Sequence, residues 1–169
     1  MRPARATDVP FLVELVEHPD VAPFLAASRA HETDEVADEI ARGEREPDAF
    51  GVLVIEVDGR AAGTVTWERI NARSRIVAVS GLALDPSVRG RGLGVAVVRA
   101  LTRLLLDERG FHRLQMEVYA FNERALRHAE SSGWVREGVR RKAYLRDGAW
   151  VDGILFGLVE EDLAPHVPE

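Results

Sequence analysis

The residues best suited to chemistry run from Leu82 to Gly94, in the order Leu-Ala-Leu-Asp-Pro-Ser-Val-Arg-Gly-Arg-Gly-Leu-Gly. A strand-like run stops at Asp85-Pro86, three glycines follow at alternate positions, and a helical pattern begins. Glycine lets backbone amides approach a ligand and adopts positive φ without a Cβ clash. The start of a helix adds unpaired N–H groups and a positive dipole end. With Arg89 and Arg91 adding charge, the combination predicts a phosphate or pyrophosphate cradle. Spacing then narrows the ligand. The nucleotide P-loop needs a Lys-Ser/Thr pair after its last glycine, and none is present. The dinucleotide fingerprint Gly-x-Gly-x-x-Gly would put its third glycine at Val95 or at Val97, so it fails from either start. What remains is Arg89-x-x-Gly92-x-Gly94.

A second group of candidates lies on the strand-like segment Arg113 to Tyr119. Alternation puts Leu114, Met116 and Val118 on one face and Gln115, Glu117 and Tyr119 on the other. A carboxylate in a central strand is costly to bury unless it is paired or useful. Glu117 therefore reads either as a proton acceptor or as the partner of a nearby arginine, and both readings stay open. Tyr144 reads as a packing aromatic. His112 and His128 read as surface or structural side chains, and no metal site is expected.

The elements that must position these residues follow from local signals. Arg2 to Arg5 predicts a short strand, and Thr7 or Asp8 caps a helix through about Glu17 with Pro10 in its first turn. Thr33-Asp34-Glu35 supplies the cap and acidic first turn of a second helix, with Gly43 as its expected stop. Phe50–Val57 and Ala61–Arg69 flank Asp58-Gly59, a hairpin turn signal. Arg75–Leu84 is a further strand. A helix from about Gly92 to Arg109 carries Val95, Val98, Leu101 and Leu105 at helical spacing. After the Arg113–Tyr119 strand, Asn122 caps a short helix that Gly133 ends. Trp134–Arg146 and Ala149–Val159 close the chain as a hairpin about Asp147-Gly148. The order β-α-α-β-β-β-α-β-α-β-β predicts an α/β protein with a mixed sheet and helices on both faces.

Composition bounds the function classes. A chain of 169 residues fits one domain, expected over 1–169, with a core that needs no covalent staple. There is no cysteine, hence no disulfide framework, thiol nucleophile or thiolate metal site. The formal net charge is −6, from 28 acidic and 22 basic residues, which disfavours general binding to a phosphate backbone. The basic cluster Arg136–Arg146 reads as a solvated hairpin face. The start of the chain lacks the apolar core of a signal peptide, and no uncharged apolar run approaches a membrane span. A cytoplasmic protein is expected, with no nucleic-acid or membrane partner.

Arg89-x-x-Gly92-x-Gly94, preceded by a strand and Asp-Pro, resembles the acetyl-coenzyme A signature Gln/Arg-x-x-Gly-x-Gly/Ala of the GNAT superfamily of N-acetyltransferases. Leu114–Tyr119, Asn122-Glu-Arg-Ala125, Gly133-Trp134 and Glu137-Gly138 resemble its second signature. That signature is a strand, Asn-x-x-Ala/Ser, a short helix, Gly-Phe and Glu-Gly; Trp134 stands in for the phenylalanine. The closing hairpin with Gly148-x-x-x-Asp152, and the opening Arg2-Pro-Ala with Thr7-Asp8, are similar to the ribosomal-protein N-terminal acetyltransferase-like subgroup. The resemblance covers nearly the whole chain and is weakest from His18 to Pro47. It implies a GNAT fold: about seven strands, mostly antiparallel, with two central parallel strands that splay between Gly81–Leu84 and Glu117–Tyr119.

The resemblance also implies acetyl-CoA as cofactor. Its pantetheine arm would pair like an extra strand with Gly81–Leu84, through Leu82, Ala83 and Leu84. Its pyrophosphate would sit on the amides of Arg91, Gly92, Leu93, Gly94 and Val95, flanked by Arg89 and Gly90. Asn122 would touch the arm, or serve only as a helix cap. The implied reaction is direct attack of a neutral amine on the thioester. It needs a base, an oxyanion donor (a backbone N–H near Leu82 or Ala83) and an acid for the departing thiolate. Glu117, five residues before the motif Asn122, matches the place where some N-terminal acetyltransferases carry their base; Glu68 is a second candidate that also reads as a surface charge. The family's tyrosine acid falls at Ala129 and the subgroup's serine at Ala125. Tyr119, Tyr144, water or unassisted departure are left for that step. The acceptor would be a small-molecule amine or a protein N-terminus, and a homodimer through the last hairpin fits the fold. The missing acid keeps an alternative of another class, a catalytically weak acyl-CoA-binding or sensing module.

Overall fold

A computed structural model describes residues 1–26 and 30–163. It contains strands β1 (Arg2–Pro3), β2 (Phe50–Val57), β3 (Arg60–Asn71), β4 (Ile76–Leu84), β5 (Arg113–Tyr119), β6 (Val135–Arg146) and β7 (Ala149–Leu158). Its helices are α1 (Val9–Glu17), α2 (Thr33–Arg45), α3 (Leu93–Thr102) and α4 (Glu123–Ser131). The strands form one sheet in the order β1-β2-β3-β4-β5-β7-β6. Every pairing is antiparallel except β4 with β5. A parallel pair requires a crossover, and α3 supplies it. The expected element order and mixed sheet are both observed. No helix among the described residues is long and apolar enough to cross a membrane.

Alternation along the strands divides the core in two. On one face Phe50, Val52 and Val54 of β2 pack with Leu12 of α1 and Val36 and Ile40 of α2. On the other, Leu53, Val65, Trp67, Val77, Val79, Leu114, Ile154, Phe156 and Leu158 meet Val98 and Leu101 of α3 and Ala129 of α4. Both tight hairpins have the expected left-handed turn residues: Asp58 and Gly59 at φ 52° and 75°, Asp147 and Gly148 at 49° and 78°. Such turns match the twist of the strands they join.

Several boundaries differ from the sequence reading: β1 ends at Pro3, β3 runs from Arg60 to Asn71, and α2 is capped by Glu32, not by Thr33. Gly43 lies inside α2, which runs on to Arg45; a Cβ there would sit 3.6 Å from Gly51 Cα, an ordinary contact. The helix ends ahead of Pro47, whose ring disfavours helical geometry in the preceding residue. The segment Arg103–Glu108, expected as regular α-helix, is wound as a π-helix directly after α3.

The N-terminus is held by a forked ion pair. Arg2 donates from Nη1 to Asp8 Oδ2 at 2.7 Å and from Nη2 to Oδ1 at 2.9 Å, and the Arg5 amide adds a third bond at 2.7 Å. The Arg2 side chain, by hydrogen bonding, holds the Asp8 carboxyl below its ordinary value. A lowered carboxyl contributes stability that is complete above the ordinary value of 3.8 and is lost as pH falls through the folded value. Asp8→Asn should therefore cost about 1.5–3 kcal/mol at neutral pH, with the gap to the parent closing on acidification in urea titrations. Gly51→Ala should be comparably harmful. Its Cβ would lie 2.5 Å from Nε1 of Trp67, an indole 1% exposed and wedged edge-on against Phe111. Thermal unfolding should show a loss of about 1–3 kcal/mol.

Candidate active site

The parallel ladder between β4 and β5 has only three rungs, Ile76 to Arg113, Val77 to Leu114 and Ala78 to Gln115. Beyond them β4 stays on β3 as far as Leu84, and β5 stays on β7 as far as Tyr119. The two strands part because β4 contains one extra residue. Thr64 and Thr66 of β3 face Ala83 and Ser80, so two steps on one strand match three on the other. Gly81, at φ 61°, takes the left-handed conformation that such a bulge requires. The extra residue also reverses the faces. Val77 and Val79 point into the α3-side core, whereas Ala83 joins Leu15, Val16, Val21 and Leu25 on the α1 side. Gly81–Leu84 thus has no ladder partner on its β5 side, a free strand edge within a sheet. The opening starts at Val79, two residues before the Gly81 that the resemblance implies.

At the end of this edge the chain turns through the glycine loop. Asp85 accepts from the Ser87 amide at 2.8 Å and shapes a single 3-10 turn over Pro86–Val88. Gly90 and Gly92 follow at φ 79° and 70°, and Gly92 is the N-cap of α3. A Cβ at either would meet nothing within 4 Å, so both glycines serve the backbone conformation and leave open space beside the first amides of α3. Gly94 differs from them. Its Cβ would lie 2.5 Å from Cε1 of His128, so it exists for the contact of α3 with α4. His128 packs on Gly94, and its Nε2 is buried without a hydrogen-bond partner among the described residues. Burial first, and the charge of Arg124 second, lower its pKa.

Arg89 was expected beside the phosphates. Its guanidinium is turned under the loop instead, donating to the carbonyls of Leu84 at 3.0 Å and Asp20 at 3.3 Å. It braces the end of β4 against the turn after α1. Arg91 is exposed. Asn122 accepts from the Ala125 amide at 3.2 Å through Oδ1 as the cap of α4, which leaves its amide nitrogen free for a ligand. Sequence reasoning missed Arg124. A cation in the first turn of a helix opposes the dipole, and this one lies close enough to Arg89 and His128 to lower the pKa of both. Arg124 thus stands near the loop that carries Arg91 and leads into the N-terminus of α3. This is an environment an anionic, phosphate-bearing ligand fits. The free edge beside it fits an extended amide-bearing chain.

Across the gap, β5 has the two faces expected. Leu114, Met116 and Val118 face the core. Glu117 faces away, its side chain 22% exposed, with Oε2 at 3.3 Å from Arg140 Nη1. Both sequence readings of Glu117 thus survive, since it has an arginine partner and a second oxygen, Oε1, buried without a hydrogen bond among the described residues. Room for that oxygen comes from Gly153 of β7, where a Cβ would stand 1.9 Å away. Tyr144 lies alongside; burial, and then Glu117, raise its pKa, so the phenol keeps its proton at neutral pH. Tyr119 is buried between Phe121, stacked at 5.3 Å, and Tyr144, edge-on at 5.2 Å. Glu68 lies away from the opening. It is ion-paired with Arg42 at 2.6 Å and pairs with Ala78, where β4 and β5 are still closed. Ala129 is buried in the core and Ala125 is half-buried, and neither brings a proton donor. Among the described residues no cluster could hold a metal ion. Of the expected acceptor region 18–47, residues 27–29 lie outside the described residues.

Comparison with known proteins agrees with this geometry. Residues 13–134 match the model of the Acetyltransferase (GNAT) family. The SPbeta prophage-derived uncharacterized N-acetyltransferase YokL of Bacillus subtilis is 26% identical over 117 residues, 69% of this chain and 66% of that protein. The chain thus spans just under two thirds of that relative's length. The L-amino acid N-acetyltransferase AaaT of Escherichia coli is 28% identical over 69% of this chain and 74% of its own. Among solved structures, the spermidine N-acetyltransferase of Vibrio cholerae in complex with CoA and spermine superposes with a TM-score of 0.84, at 16% identity and 95% coverage of both chains. At that identity the likeness is one of fold. The bulged β4, the three-rung splay and the glycine turn into α3 are thus carried by a chain that belongs to the acetyltransferase (GNAT) family, whose members draw their acetyl group from acetyl-CoA.

Proposed function

We propose that this chain transfers an acetyl group from acetyl-CoA to a primary amine, on a small molecule or a protein N-terminus, by direct attack. The observation that carries the reading is the free edge Gly81–Leu84 running into the open glycine turn at the start of α3. In this reading the edge pairs with the pantetheine arm through Leu82, Ala83 and Leu84. The amides of Arg91–Val95 take the pyrophosphate, helped by Arg91 and Arg124, and the free amide of Asn122 reaches the arm. Arg89 acts from beneath, by bracing the loop. Acetyl-CoA supplies a thioester whose carbonyl a neutral amine can attack.

The chain's own groups then handle charge and protons. An N–H near Leu82 or Ala83, on the edge that has no strand neighbour on its β5 side, is left to stabilise the developing oxyanion. Glu117 takes the proton of the incoming ammonium at its carboxylate. A phenol next to it, Tyr144 or Tyr119, gives its proton to the thiolate and regains one from the nitrogen, which loses its second proton as the C–N bond forms. The bond made is C–N, the bond broken is C–S, and the products are the amide and the free thiol. The closing hairpin supports a place in the ribosomal-protein N-terminal acetyltransferase-like subgroup. The single domain, a cytoplasmic location and the lack of nucleic-acid and membrane partners belong to the same reading. So does a homodimer through the last hairpin, where edge strand β6 exposes Val139 and Leu145.

Thiol release from acetyl-CoA, measured over a panel of amines, tests the reaction; tight CoA binding with no release from any amine would favour a sensing module. Glu117→Gln should lower kcat roughly a hundredfold or more and leave CoA affinity unchanged, because Glu117 lies across the gap from the cradle. Full activity across the pH range would move the base elsewhere. Gly92→Asp places a carboxylate in the open space by the helix N-terminus, at a φ that Asp tolerates. CoA affinity should fall at least about tenfold, or 1.4 kcal/mol. A folded variant that binds CoA normally would contradict the cradle.

A further inference from the structure

On the α1 side of the gap, Tyr119 is the floor of a small aromatic group with a charge on either side. Phe121 stacks on its ring, and Phe24, from the 3-10 turn Ala22–Phe24, lies 6.1 Å from Phe121. These two outer rings are 40% and 43% exposed, an apolar surface beside the candidate base. Glu117 stands two residues back on the same strand face, about 7 Å away by strand geometry. On the other side, Arg146 lies over the Tyr119 ring at 5.2 Å and donates from Nη2 to the Pro23 carbonyl at 2.9 Å. The hydrogen bond ties the β6–β7 hairpin to the turn after α1 and fixes the guanidinium's orientation. Yet no carboxylate among the described residues lies within ion-pair distance of it. A half-buried, oriented guanidinium with spare N–H groups is suited to a carboxylate.

We propose, resting on the acetyl-transfer reading above, that the acceptor is a free α-amino acid with an apolar or aromatic side chain. Glu117 receives its amine, Arg146 its carboxylate, and the Phe24–Phe121 pair its side chain. A polyamine fits this site poorly. Its second ammonium would meet Arg146 and Arg140, with Arg141 and Lys142 following on the same exposed hairpin strand, and like charges brought together are penalised. A peptide N-terminus has no carboxylate next to the amine for Arg146 to hold.

The test is thiol release from acetyl-CoA with phenylalanine, phenylalaninamide and spermidine as acceptors of the unaltered protein. Phenylalanine should exceed its amide in kcat/KM by about tenfold or more, the value of one charged hydrogen-bonded contact. The comparison is conservative, because the amide has the less basic and more readily neutral amine. Arg146→Gln should raise KM for phenylalanine to the level of the amide and leave the amide's own KM in place; Arg146→Lys should fall between. Equal use of the amide, or preference for spermidine, would overturn the amino-acid assignment while acetyl transfer itself stood. If no acceptor releases thiol, acetyl transfer fails, and calorimetry on the CoA-loaded protein still decides the site: phenylalanine binding no tighter than its amide overturns the assignment, and tighter binding lost in Arg146→Gln supports it.

Discussion

The site depends on one extra residue in a strand. Backbone N–H and C=O groups inside a sheet need partners, and a regular β4 would have found them on β5 along its whole length. The bulge at Gly81 prevents this. It turns the last four residues of β4, exchanges their faces and opens the parallel pair after Ala78 and Gln115. The fold therefore holds an unpaired edge at its centre, supported by β3 on one side. A ligand with amides along its length is the natural complement of such an edge. The glycine turn, the start of α3 and the cap of α4 are all set at the mouth that the opening creates.

The gap also separates two kinds of electrostatics. At the glycine loop the start of α3 and Arg124 add positive potential, partly offset by the carboxylates of Asp20 and Asp85 near Arg89. On the β5 side, charge is arranged in pairs and layers. Glu117 faces Arg140, aromatic rings surround Tyr119, and Arg146 closes the group from the hairpin. Gly153 contributes by lacking a side chain, which gives Glu117 Oε1 its place. The three glycines in the loop similarly have different tasks: Gly90 and Gly92 set the turn, and Gly94 admits His128.

Features governed by neighbours in the chain were legible in the sequence. Alternation along Leu114–Tyr119 assigned each side chain to its face, the Asp-Gly pairs marked both hairpins, and Asn122 was visible as a cap. The splay itself came from the resemblance. Where one local signal had two physical uses, the reading went astray. A glycine in a helical pattern suggests a stop, yet α2 runs through Gly43 to Arg45. Arginine beside a glycine loop suggests a ligand, yet Arg89 satisfies carbonyls of its own chain. Glu68 could be judged only once Arg42 of α2 was seen across from it. The aromatic group drew together residues 24, 119, 121, 144 and 146, and no periodicity links them.

One ligand that fills the edge and the turn together would make them a single site. Calorimetric titration of the purified chain with desulfo-CoA, ATP and NAD measures this without requiring turnover. Desulfo-CoA should bind with micromolar affinity, about −8 kcal/mol, because it has both the amide-bearing arm and the pyrophosphate, and ATP and NAD should not compete with it. Equal affinity for ATP, or no binding of the CoA compound, would mean that the opened strand pair and the glycine turn do not form one site, and would contradict the account.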